Sequence, residues 1–159
     1  MRARIPEPPD NPPCFACGSK NPEGMHLEFF LDGDEVVTEF TPPRTWSGWG
    51  DVLHGGFQTL LLDETCSWAF ATLARCRTFV TAKLEVTFRR PVRVAQPLTV
   101  RCRIVERDDR RAITSGEILD ADGAVLTEGV VTIRVLPPGK FEAVANQPAG
   151  TGPFRRTCA

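Results

Sequence analysis

The sequence has almost no net charge. Basic residues number 19 and acidic ones 20, leaving a formal charge of -1. No broad cationic face is therefore expected to attract nucleic acid or an anionic membrane. No apolar run reaches the roughly 20 residues that cross a bilayer. The opening MRARIPEPPDNPP has no apolar stretch of the signal-peptide kind, so a cytoplasmic protein is expected. Nor is there an internal repeat or a nucleophile elbow of the Gly-x-Ser-x-Gly type. A hydrolase triad of His54 with Ser47 or Asp51 is correspondingly disfavoured.

What is present suits one soluble domain. The chain has 159 residues, 42% hydrophobic and 25% charged, enough to bury a real core. Six cysteines, at 14, 17, 66, 76, 102 and 158, do not read as a disulfide framework. Cys66 falls in an apparent helix and Cys102 in an apparent strand, where cysteine usually acts as a small buried hydrophobe. Reduced thiols are expected. Cys14 and Cys17 have the spacing of half a zinc site, but no second pair follows. Even with His26 as a third ligand the set of four is incomplete. The expectation is no metal and a compact turn with two thiols.

Residues 1–13 are rich in proline and predict no regular structure. HLEFFL at 26–31 and EVVTEFT at 35–41 flank a DGD turn and predict a hairpin. PPRTWSGWGDV at 42–52 predicts a loop. A long helix follows over about 54–74, apolar nearly all round, with Phe57, Leu60, Leu61, Leu62, Cys66, Trp68 and Phe70. Such a helix is enclosed by the rest of a fold. Four strands come next, at 78–90, 97–106, 111–120 and 124–136. The first should carry Val80, Ala82, Leu84, Val86 and Phe88 on one face. From residue 137 the chain predicts a surface extension. Strand, strand, buried helix, four strands is an α+β order. It is satisfied by a bent antiparallel sheet wrapped around one long central helix.

The motifs VLHGG at 52–56, LLLDE at 60–64, VTAKLEVTFRRPV at 80–92 and CFACGSKNPEGMHLEF at 14–29 resemble the PaaI-like hotdog-fold acyl-CoA thioesterase family. The resemblance covers about residues 14–136, which implies a hotdog domain there, with extensions at 1–13 and 137–159. It implies hydrolysis of an acyl-CoA to free acid and coenzyme A, without a cofactor, by a homodimer or a dimer of dimers. Position by position it implies an oxyanion donor at the Gly55 N–H with His54 beside it, a catalytic acid at Asp63 and a supporting hydroxyl at Thr81. One departure is Gly48, which stands where many relatives carry asparagine.

The residues themselves support that reading. A helix start offers unpaired N–H groups and partial positive charge. Glycine at 55 and 56 lets a substrate oxygen approach, which suits an oxygen gaining charge during attack. Yet Gly55 and Asp63 lie eight residues apart, about 12 Å along one helix. One carbonyl cannot reach both, so a site shared between two chains is expected. Trp46, Trp49, Phe57 and Trp68 suggest an apolar acyl pocket. Glu64, 100° further round the helix, is expected to face solvent or a salt bridge and is the reserve acid. Arg89 and Arg90 should point to opposite faces of their strand. One of them is expected to meet coenzyme A phosphates. Two other readings stay open. One is a hydratase or dehydratase using Asp51 with His54; the other is an acyl-CoA sensor without turnover.

Overall fold

A computed structural model describes residues 2–9, 11 and 13–145. The strands are β1 (Ala3–Arg4), β2 (Phe30–Asp32), β3 (Glu35–Phe40), β4 (Ser47–Trp49), β5 (Val52–Leu53), β6 (Phe79–Phe88), β7 (Leu98–Arg107), β8 (Arg111–Leu119) and β9 (Val125–Val135). The helices are α1 (Gly55–Leu73) and α2 (Pro138–Ala145). Seven strands form one antiparallel sheet in the order β1-β2-β3-β7-β8-β9-β6, and β4 and β5 form a separate hairpin. α1 packs on β3, β7, β8, β9 and β6 as the sheet curves round it.

The helix buries Gln58, Leu61, Leu62, Thr65, Cys66 and Ala69, spaced three and four apart, with Trp68 and Phe70 beside them. It ends at Ala74, after which Arg75 turns into the left-handed region with φ 52°. Close approach to the sheet depends on two glycines facing each other across β8 and β9, Gly116 and Gly129. A Cβ on Gly129 would stand 3.0 Å from Leu62 Cδ1, and one on Gly116 would stand 2.5 Å from Cys102 Sγ. The paired glycines form the notch that seats Leu62.

Four local expectations change. Within 1–13, Ala3 and Arg4 pair with Leu31 and Phe30. The strand expected from 26 begins only at Phe30, because His26 has φ 52° and Leu27 donates to Ala16 O at 2.9 Å in a neighbouring turn. The loop at 42–52 contains a 3-10 turn at Arg44–Trp46 and the β4–β5 hairpin. Residues 138–145 are helical, while residues 146–159 of the expected C-terminal extension lie outside the described residues. Cys14, Cys17, Cys66 and Cys102 carry free thiols, as expected. Cys76 is instead disulfide-bonded, so the expectation of reduced thiols fails there.

The most consequential change is in β6. Its register against β9 shifts between Thr81 and Lys83, leaving Ala82 as an extra residue. Val80 and Ala82 therefore do not share the face of Leu84, Val86 and Phe88. Phe79 packs against Phe70 and Thr81 bonds to Asp63, so these two face the helix before the bulge. Leu84 and Val86 pack on the core after it.

Candidate active site

The start of α1 is held from several sides. Leu53 donates to Val92 O at 2.8 Å and His54 to Trp46 O at 3.0 Å. Gln58, only 4% exposed, donates from Nε2 to Leu53 O at 2.9 Å and accepts from Thr127 Oγ1 at 2.6 Å. Its position inside an apolar stretch marks it in the sequence, but its partners come from distant elements.

His54 is the N-cap, and its Nδ1 accepts from the Gly56 N–H at 2.9 Å. The neutral ring therefore carries its proton on Nε2. Phe57 and Gln58 donate to His54 O at 3.0 and 3.4 Å. Among the described residues no acceptor takes the Gly55 N–H. It is a first-turn donor without a described partner. Both glycines also have local reasons. A Cβ on Gly55 would lie 3.1 Å from the Phe88 ring, and one on Gly56 would lie 3.1 Å from His54 Nδ1. Gly48 packs against His54 in the same way, with its Cβ position 3.3 Å from His54 Cα.

A cavity of about 620 Å³ opens at this helix start, and Trp49, His54, Gly55, Phe88, Arg89 and Arg90 line much of it. The strand ends at Phe88, so the two arginines do not alternate and both line the cavity. The expectation of opposite faces fails there. Arg89 pairs with Glu128 at 2.6 Å. That contact holds the Glu128 carboxyl below and the Arg89 guanidinium above their ordinary pKa ranges. No described carboxylate pairs with Arg90. Trp49 is 86% exposed at the rim.

Asp63 and Thr81 meet elsewhere. Thr81 Oγ1 donates to Asp63 Oδ1 at 2.8 Å. Asp63 is half-buried and does not line the cavity at Gly55. The proposed acyl-pocket aromatics also disperse. Trp46 stacks between Phe40 and Phe57, at 5.4 and 4.3 Å between centroids, and neither Trp46 nor Phe57 lines the cavity. Trp68 is buried and stacks on Phe29 at 4.7 Å. Gly56 spends its N–H on the cap. Asp51 is ion-paired with Arg93.

Glu64 corrects the sequence expectation. It turns away from solvent, accepts from Trp68 Nε1 at 3.1 Å, and stands 3.9 Å from Cys14 Sγ at each oxygen. Burial pushes its carboxyl up to about 7. Cys14 is held below the usual thiol range chiefly by the Cys17 thiol donating to it, and Cys17 is raised by the same contact.

A curved antiparallel sheet closed round one central helix defines a hotdog-fold protein. Residues 50–127, just under half of the chain, match the model of the thioesterase superfamily. A solved thioesterase superfamily protein is 28% identical, with TM-score 0.68 over 75% of this chain and 58% of its own. PaaI from the Escherichia coli phenylacetic acid degradation operon shares the fold at 15% identity, TM-score 0.65, over 71% of this chain and 81% of its own. A hypothetical thioesterase from Streptococcus pneumoniae, solved with coenzyme A, does so at 17%, TM-score 0.64, over 69% and 85%. An uncharacterized Schizosaccharomyces pombe protein is 27% identical over 60% of this chain, which spans 56% of that relative. Among the described residues no helix is long and apolar enough to cross a membrane.

Proposed function

We propose that the protein hydrolyses an acyl-CoA thioester to the free acid and coenzyme A. The observation that carries this reading is the unclaimed Gly55 N–H at the cavity, on the same helix as an acid held by Thr81. The N–H stabilises the thioester oxygen as charge develops on it. Asp63 supplies the carboxylate that attacks the carbonyl or activates water. Thr81 fixes its orientation, and His54 shapes the helix start. Arg90, with no described acidic partner, is the cation for coenzyme A phosphates, while Arg89 is engaged by Glu128. Trp49 and Phe88 form an apolar rim for the acyl group.

The site is completed by a second chain in this reading. β6 is a ten-residue strand at the open edge of the sheet, carrying Thr81 near one end and Phe88, beside Gly55, at the other. Open edges of that length are normally covered. Antiparallel pairing of two β6 strands about a two-fold brings the Asp63 end of one chain toward the Gly55 end of the other. Such dimers can pair again into a dimer of dimers. A cytoplasmic location is part of this reading; the four free thiols suit it and the disulfide at Cys76 does not.

The test is a hydrolysis screen over short, medium, long and aromatic acyl-CoAs, with Asp63→Asn alongside. Turnover that falls by about 10² or more in the variant supports the assignment. Tight binding of some esters with hydrolysis of none would identify a sensor instead. A wild-type kcat in Asp63→Asn would remove Asp63 from the mechanism.

A further inference from the structure

Outside the cavity at Gly55, Cys14, Cys17 and Glu64 bring two sulfurs and a carboxylate oxygen within 4.8 Å of one another. The two cysteines belong to a turn in which Gly18 donates to Cys14 O at 3.0 Å. The turn is seated on the core by Met25 donating to Phe15 O at 2.7 Å and Leu27 to Ala16 O at 2.9 Å, with Ala16 and Cys17 buried. Glu64 reaches the turn from the middle of α1, which the sequence spacing did not reveal.

We propose that these three residues bind zinc, which clamps the N-terminal turn to the central helix beside Asp63. The donor set is the kind zinc takes, thiolates with one carboxylate. In a tetrahedral site with bonds of about 2.3 Å to sulfur and 2.0–2.2 Å to oxygen, neighbouring donors stand roughly 3.5–3.8 Å apart. Both oxygens of Glu64 already stand 3.9 Å from Cys14 Sγ, so small side-chain shifts close the set. Two ligands have outer partners, as metal ligands usually do. Trp68 Nε1 donates to Glu64 at 3.1 Å, and Asn11 Nδ2 donates to Cys17 Sγ at 3.6 Å. A second cavity of about 270 Å³ reaches Cys17 and Trp68 but is not lined by Cys14 or Glu64; a water would supply the fourth ligand. The role is structural and independent of the hydrolase reading.

The test is titration of the reduced, metal-stripped full chain with cobalt(II), followed by displacement with zinc. The expected result is one equivalent per chain, with a thiolate-to-cobalt charge-transfer band and the visible bands of tetrahedral cobalt. Cys14→Ser and Cys17→Ser abolish stoichiometric binding. Glu64→Gln, nearly isosteric and checked for folding by circular dichroism, weakens it about tenfold or more. Trp68→Phe keeps the band but weakens binding by about 10–100-fold, as loss of an outer partner does. Asp63→Asn binds as wild type. No charge-transfer band in folded, reduced protein would overturn the proposal. So would wild-type affinity in Glu64→Gln, or loss of binding in Asp63→Asn.

Discussion

Thr127→Val should cost the protein more than its size suggests. Thr127 is fully buried, and its hydroxyl donates to Gln58 Oε1 at 2.6 Å. Valine fills nearly the same space but donates nothing, so the buried Gln58 oxygen loses its described partner. Leaving a buried acceptor unsatisfied costs about 1–3 kcal/mol. For a chain of this size each kcal/mol moves Tm by about 2–4 °C, so a fall of roughly 2–12 °C is expected. Thr127→Ser keeps the donor and should lie much closer to wild type. The same amide binds Leu53 O directly before the His54 cap, so kcat should fall with stability in Thr127→Val. Adding Gln58→Leu removes the orphaned acceptor. The double variant should therefore be more stable than the two single losses predict, by about 0.5–3 kcal/mol of coupling. Thermal unfolding at one fixed protein concentration reads all of these, since a dimer's Tm depends on concentration. A Thr127→Val protein within about 0.5 kcal/mol of wild type, the range of an ordinary surface change, would refute the view that this pair holds the helix start.

Gly116→Ala should destabilise by about 1–3 kcal/mol through overpacking, because its Cβ would sit 2.5 Å from Cys102 Sγ; Cys102→Ala should restore part of the loss, measured by denaturant unfolding. Thr81→Val should lower kcat about 10–100-fold, the value of a hydrogen bond to a charged group, while Thr81→Ser stays near wild type in steady-state assays. Arg90→Glu should raise KM for coenzyme A esters more than for a thioester lacking the nucleotide. Arg89→Glu should show less of that preference, since Arg89 is already paired with Glu128; equal effects of Arg90→Glu on both substrates would give it a structural role only.

The periodicity of the helix and of the last three strands made the architecture legible, because one face of each had to be apolar. Local pattern failed where a tertiary contact decided the outcome. The alternation of Val80, Ala82 and Leu84 concealed the bulge at Ala82, since alanine there is small enough to read as either face. That bulge sets Thr81 toward Asp63. Glu64 looked exposed by helical geometry, but the Cys14 turn, 50 residues earlier, covers that side. Gly116 and Gly129 look like ordinary weak points in strands until they are seen opposite one another under Leu62. Opposite faces for Arg89 and Arg90 require a strand that runs to 90, but it stops at Phe88. The helix-start motif was readable because its capping contacts are local: His54, Gly55 and Gly56 adjoin in the chain.

The central claim is that Gly55 and Asp63 act on one substrate from two chains, and complementation tests it most directly. Asp63→Asn removes the acid, and Gly55→Pro removes the backbone donor at a first-turn position that accepts proline. The proline variant must first prove folded and dimeric, because the Phe88 ring lies close to position 55. Each variant alone has two broken sites, whereas a mixed dimer has one site with both defects and one with neither. After unfolding and refolding an equal mixture, about half the dimers should be mixed, and activity should recover to roughly a quarter of wild type. Mixed dimers verified by mass spectrometry that remain inactive would contradict the shared site.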